Sequence, residues 1–287
     1  MEQWGHRSLV KFWVLLCAFP LVTLAAEKNG SPAKQEFSKI VQEQKDAERQ
    51  AQEAYSKAKT ADEKSAAKWP SAEEYAHRVL GVAQKYPDDP VALDALIWIA
   101  QNCRRGDDLN AALRLLVEKH VNDAKIGDAI LRVLHAASKE AEGFLRGVSE
   151  KSPSDELKGK ALVTLGRLLK KYASAGQFLH TNTSAKYVEN YGRWLGEDVV
   201  AKLQAVDPDG LRKEAERTFE TVIAKYGRQK SDSRTLGDSA KSELFEMRHL
   251  GIGMVAPEIQ GKDVDGRKFA LSDYRGKVVV LDFWGHW

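Results

Sequence analysis

Cysteine is the scarcest informative residue: the 287-residue chain holds only Cys17 and Cys103. Two cysteines so far apart build neither a disulfide framework nor a cysteine-rich zinc site. Charge of one sign is also lacking, since 44 Lys and Arg stand against 41 Asp and Glu, for a formal net charge of +3. That balance excludes the electrostatic footprint of a nucleic-acid binder. Hydrophobic residues make up 43% and charged residues 30% of the chain, which excludes a disordered polypeptide and leaves room for one large or two modest domains.

Long apolar runs are absent except at the N-terminus. After Arg7 and Lys11, an uncharged and mostly apolar stretch runs from Phe12 to Ala26, broken by Pro20. It has the length of a signal-peptide core and is shorter than the roughly 20 residues of a spanning helix. Residues 1–26 are therefore expected to be an export signal cleaved after Ala25 or Ala26, the alternative being an uncleaved anchor. Either places the remainder outside the cytoplasm, in the periplasm or elsewhere in the cell envelope. Leu16 before Cys17 is not the small residue that a lipoprotein signal requires.

Residues 27–69 are rich in Ala, Glu, Gln and Lys, with Phe37, Ile40, Val41, Ala47, Ala51, Ala54 and Tyr55 at helical spacing. The thin, alanine-dominated stripe predicts a long polar helix or arm leaning on the domain behind it. Over 70–250 the chain reads as helix pairs. Ser71 and Glu74 form a capping-box pattern, Pro87-Asp88-Asp89-Pro90 stops one helix and starts another, and a third begins after Gly106. A further helix is expected through Ile126, Ile130, Val133, Leu134 and Ala137. Residues 155–172 and 185–205 also read as amphipathic helices. Lys85 and Lys119 mark equivalent turns 34 residues apart, and the YPDDPVALDAL and GDDLNAAL segments resemble tetratricopeptide repeats, as does AERTFETVIAKYG at 215–227. That resemblance implies stacked helix hairpins, each covering its neighbour's apolar face, with a protein partner on the repeat surface.

Four histidines, His77, His120, His135 and His180, fall on separate elements without the close pairing of a metal site, so no metal is expected. Cys103 ends an apolar helix and reads as a small buried hydrophobe, with Arg104 and Arg105 beside it keeping open a lowered thiol pKa.

Beyond Leu250 the helical period disappears. Val264 to Phe269 reads as a hairpin turning at Asp265-Gly266, Leu271 to Gly276 as a turn, and Val278 to Trp284 as a central strand covered on both faces. The order Gly253-x-x-Ala256-Pro257, Asp265-Gly266, Leu271-Ser272-Asp273-Tyr274-Arg275-Gly276-Lys277 and Val278 to Phe283-Trp284-x-x-Trp287 resembles the opening of the redoxin superfamily. That superfamily includes alkyl hydroperoxide reductase and thiol-specific antioxidant proteins and TlpA-like thiol-disulfide oxidoreductases. The resemblance covers about 35 residues.

The helical periodicity and repeat resemblance imply a mainly α chain, a tetratricopeptide-like stack, and the redoxin resemblance implies that over 251–287 it is followed by the truncated start of an α/β thioredoxin-like domain. The redoxin resemblance further implies a buried acid at Asp282 as proton acceptor, Trp284 beneath the site, and Trp287 directly before a Cys-x-x-Cys pair. Neither Cys17 nor Cys103 has that spacing, so the nucleophile is expected to lie outside the chain, a fragment without turnover of its own. An incomplete assembly, a frameshift and a UGA selenocysteine codon are the alternatives for where the chain stops. The implied partners are protein thiols or disulfides, with no cofactor, and with a membrane only through an uncleaved signal. The other reading is a helical-repeat binding scaffold in which the redoxin part is vestigial.

Overall fold

The computed structural model describes residues 30–231 and 233–285. The export signal expected over 1–26 and Trp287 lie outside them. Among the described residues no helix is long and apolar enough to cross a membrane.

Helix α1 (Pro32–Lys57) starts where proline favours a helix, in the first turn behind a cap, with the Ser31 hydroxyl accepting from Lys34 N at 3.2 Å. It buries Ala33 and Ile40 in the core it shares with α3 (Glu73–Lys85) and α4 (Val91–Asn102). Ion pairs Arg78–Glu43 at 2.6 Å and Lys85–Glu36 at 3.0 Å bind its polar flank to α3. Between them a short α2 (Ala61–Ser65) carries a full capping box of Thr60 and Glu63. The box expected at Ser71 and Glu74 is half formed. Glu74 accepts from Ser71 N at 3.2 Å, but the Ser71 hydroxyl donates to Glu73 at 2.9 Å instead of capping the helix.

The turn Pro87–Pro90 separates α3 from α4, with Asp89 Oδ1 accepting from Val91 N at 2.9 Å. Helix α5 (Asp107–Lys119) and α7 (Glu140–Lys151) begin 34 and 33 residues after the preceding member of the series that α3 opens at residue 73. The single helix expected over 126–137 is instead three short pieces: a 3-10 turn at Ala124–Ile126, α6 (Gly127–Ile130) and a second 3-10 turn at Arg132–His135. Two tertiary bonds draw the chain out of α-helical register there. Lys171 Nζ donates to Leu134 O at 3.1 Å, and Ala137 N donates to Arg104 O at 2.6 Å.

Helix α8 (Asp155–Thr181) extends past the expected stop at 172 and forms the spine of the body. Its apolar positions recur all round the helix, from Leu157 through Leu165, Leu168, Leu169 and Tyr172 to Leu179, so it is covered on several sides. The neighbours are α7, α10 (Glu197–Ala205), α11 (Pro208–Thr221) and α12 (Leu236–His249). At Gly166 the absence of a side chain lets the fully buried ring of Phe219 from α11 lie against the α8 backbone. The helix expected over 185–205 divides into α9 (Ala185–Leu195) and α10 at Gly196, whose φ of 96° suits glycine. After α11 the backbone widens into one π-helical turn at Val222–Tyr226. A minimal ladder, β1 (Lys230–Ser231) with β2 (Arg234–Thr235), then leads into α12.

Glu142 on α7 joins three helices, since it accepts from Arg146 Nε at 3.0 Å and Lys202 Nζ at 2.6 Å, while Arg146 also pairs with Glu214 at 2.6 Å. Burial pushes the Glu142 carboxyl up, but the bonds from Lys202 and Arg146 outweigh it and hold the group below its usual range. A depressed folded-state pKa stabilises above the unfolded value, and that contribution is lost as pH falls through the folded value. Glu142→Gln is therefore expected to lower stability at pH 7 by about 1–3 kcal/mol, with the gap to the parent closing below about pH 4. Denaturant titration across pH measures both.

In the C-terminal segment β3 (Gln260–Lys262) pairs antiparallel with β4 (Lys268–Ala270). Asp263 Oδ1 accepts from Asp265 N at 3.0 Å and Arg267 N at 2.8 Å, and Gly266 takes the left-handed position at φ 79°. A 3-10 turn follows at Leu271–Tyr274, tied back by Ser272 N donating to Glu258 at 3.0 Å. The expected central strand over 278–284 is not formed. Among the described residues no strand lies beside it, and an extended segment with no ladder partner keeps its backbone hydrated. Val278 is 98% exposed and Phe283 82%.

Candidate functional site

The sequence directs attention to two places for thiol chemistry. The first is the C-terminal run. Asp282 lies in irregular chain and is exposed, so the burial expected of a proton-accepting acid is not present in this structure. Trp284 is likewise largely exposed, at 77%. The hairpin β3–β4 and its 3-10 turn are the ordered part of this segment, and they place Lys277 Nζ 5.9 Å from the Tyr274 ring centroid.

The second is Cys103. It caps the C-terminus of α4, its own N–H donating to Ile99 O at 2.9 Å, and it is 4% exposed. The lowered thiol pKa suggested by Arg104 and Arg105 is reversed. Burial pushes the Cys103 thiol up to about 12, aided by the nearby carboxylates of Glu73 and Asp108. The arginine charges are directed elsewhere: Arg105 Nη2 donates to Arg193 O at 2.7 Å, and the Arg104 charge acts on Lys171. The open groove beside it, lined by Ser71, Glu73, Arg105 and Asp108, does not reach the sulfur. Cys103 is a core residue.

The four histidines remain apart. The exposed His77 meets Asp108 at 3.2 Å, and His180 Nε2 bonds the Leu203 carbonyl at 3.2 Å. His120 is drawn below its usual pKa chiefly by burial, with Asp123 opposing. Among the described residues no group of three or more His, Cys, Asp or Glu side chains is placed to hold a metal ion.

Sequence reasoning passed over a third place. Lys171 on α8 is half-buried, stacks over the Trp194 ring of α9 at 4.8 Å, and lines a groove with Leu134, His135 and the Glu243 ion pairs. No local motif marks it, since Lys171 is one of two adjacent lysines in an ordinary amphipathic helix and its surroundings come from residues 37 positions before and 23 after.

No protein-family model matches the chain, and no solved structure matches it. Curated proteins do match a short stretch. Thiol-disulfide oxidoreductase ResA of Geobacillus thermodenitrificans (strain NG80-2) is 45% identical over 53 residues, 18% of this chain and 30% of that protein. ResA of Geobacillus kaustophilus (strain HTA426) is 45% identical over 42 residues, 15% of this chain and 24% of that protein. ResA of Bacillus cereus (strain ATCC 10987 / NRS 248) is 41% identical over 51 residues, 18% and 27% of the two chains. The chain thus spans less than a third of the length of the curated relatives it matches. One segment of it is similar to thiol-disulfide oxidoreductases.

Proposed function

We propose that this similarity includes residues 251–287 and reaches into the chain before them, since the matches run to 53 residues, that residues 251–287 are the opening of a thioredoxin-like domain, and that the protein is an exported thiol-disulfide oxidoreductase whose helical body is a tetratricopeptide-like stack. The observation that carries the reading is the ordered run of motifs from Gly253 to Trp287, and the ResA relatives at 41–45% identity over a short stretch support it. The 34- and 33-residue spacing of α3, α5 and α7 supports the stack, and the apolar start at Phe12–Ala26 supports export.

In this reading a thiolate that follows Trp287 attacks a protein disulfide, displaces one sulfur as thiolate and forms a mixed disulfide. A second thiol then resolves it. Asp282 takes the proton of the resolving thiol once the strand 278–284 is covered, and Trp284 and Trp287 wall the site.

Insulin-disulfide reduction tests the proposal. The 287-residue polypeptide is expected to show no turnover, because neither Cys17 nor Cys103 stands in a Cys-x-x-Cys pair. The product of the full reading frame is expected to turn over, to lose activity when the cysteines after Trp287 are changed to Ser, and to slow with Asp282→Asn. Catalysis by the 287 residues alone, or none from the full product, would overturn the reading.

A further inference from the structure

Lys171 is a half-buried cation that meets no carboxylate among the described residues. Its Nζ donates to the Leu134 carbonyl at 3.1 Å and lies over the Trp194 ring at 4.8 Å. The acids in the same groove are already taken: Glu243 by Arg167 at 2.7 Å and Lys170 at 2.9 Å, and Glu246 by Lys170 at 2.7 Å. Burial disfavours the charge on Lys171, and Arg104 nearby adds repulsion. A desolvated ammonium held this way is costly unless an anion joins it. The groove has a volume of about 420 Å³, the range of small-ligand sites. One wall is the half-exposed Trp194, which continues into a ring cluster with Tyr191 at 5.6 Å and Phe178 beyond it.

We propose that this groove binds a carboxylate attached to an aromatic or apolar group, with the carboxylate on Lys171 Nζ and the apolar group against Trp194 and Leu134. A single negative charge fits Lys171, which among the described residues of the lining has no ion-pair partner. A dianion such as phosphate would bring its second charge toward Glu243 and Glu246. The site stands apart from the C-terminal segment and does not depend on the thiol chemistry.

Titrating the 287-residue protein with sodium phenylacetate, while following the Trp194 indole N–H by NMR, tests this. Saturable movement of that resonance is expected, weakened about tenfold or more by Lys171→Gln and by less than about threefold by Lys171→Arg, since loss of a charge-assisted bond exceeds 1.4 kcal/mol. Benzylamine, the cationic counterpart, is expected not to bind. An acetyl-Glu-Phe-amide peptide distinguishes the source: tighter binding than phenylacetate assigns the carboxylate to a protein side chain, and weaker binding to a free acid. Trp194→Leu, which leaves the cation in place, is expected to weaken phenylacetate more than acetate. No saturable shift with either acid, equal binding of benzylamine, or Lys171→Gln binding like the parent would overturn the proposal.

Discussion

Phe219→Ala is expected to destabilise the helical body by about 3–5 kcal/mol. The ring is fully buried, at 0% exposure, and lies where α11 crosses the spine helix α8. Its face meets the backbone at Gly166: a Cβ built there would stand 2.6 Å from Phe219 Cε1 and 2.7 Å from Cζ. Gly166→Ala alone is therefore expected to cost about 1–3 kcal/mol by overpacking, although alanine is the better helix former by about 1 kcal/mol. In the double variant the methyl enters the space that the ring has left. The pair should then be no less stable than Phe219→Ala alone, a coupling of opposite sign to either single loss. Urea denaturation of the four proteins reads this directly. Simple additivity would show that the α8–α11 crossing tolerates a methyl without the ring moving.

The second large effect concerns Cys103. With its thiol pushed up to about 12, the thiolate fraction at pH 8 is on the order of a thousandfold below that of an exposed cysteine. Iodoacetamide labelling of the native protein, followed by peptide mapping, should leave Cys103 unmodified on the timescale that labels a free thiol. Denaturant should abolish the protection. The same displacement bears on alkaline stability. The folded state keeps the proton longer than the unfolded chain, so the contribution is complete below the unfolded thiol value near pH 8.5 and is lost as pH rises from there toward 12. At its limit that loss is of order 5 kcal/mol. Cys103→Ala should flatten this part of the profile. Tyr172, pushed up by burial and by Glu142, contributes its own decline and remains in the variant. A native protein labelled at Cys103 as fast as a free thiol would contradict the burial argument.

The elements legible in the sequence are those whose causes are local. Pro87 to Pro90 ends α3 and opens α4 because proline cannot continue a helix and Asp89 caps the next one. The Asp265-Gly266 turn forms because Asp263 bonds its own neighbours and Gly266 adopts a positive φ. What was not legible depends on residues distant in sequence. The apolar period of Ile126, Ile130 and Val133 suits one helix, but Lys171 and Arg104 claim backbone groups at Leu134 and Ala137 and break it. Helix α8 continues past Tyr172 because Gly176 packs against Pro208 on α11. At Cys103 the neighbours in sequence are two arginines, while what sets its chemistry in space is burial, with the carboxylates of Glu73 and Asp108 adding to it. Asp282 shows the same dependence in reverse: its residue type and motif are local, but burial of that carboxylate requires strands that none of the described residues supply.

The order in which the helices pack has a consequence for biosynthesis. Helix α3 meets α4, α4 meets α5, α5 meets α7, α7 meets α8, and α8 is closed by α10, α11 and α12. Each contact joins helices near one another in chain order, so the body can assemble progressively from its N-terminal end as the chain emerges into the compartment where it folds. The core is complete once α12 ends at His249. The apolar residues Val278 to Trp284 emerge after that core, beside a folded body and not beside a nascent hydrophobic chain, which spares this exposed apolar stretch from non-native burial during folding.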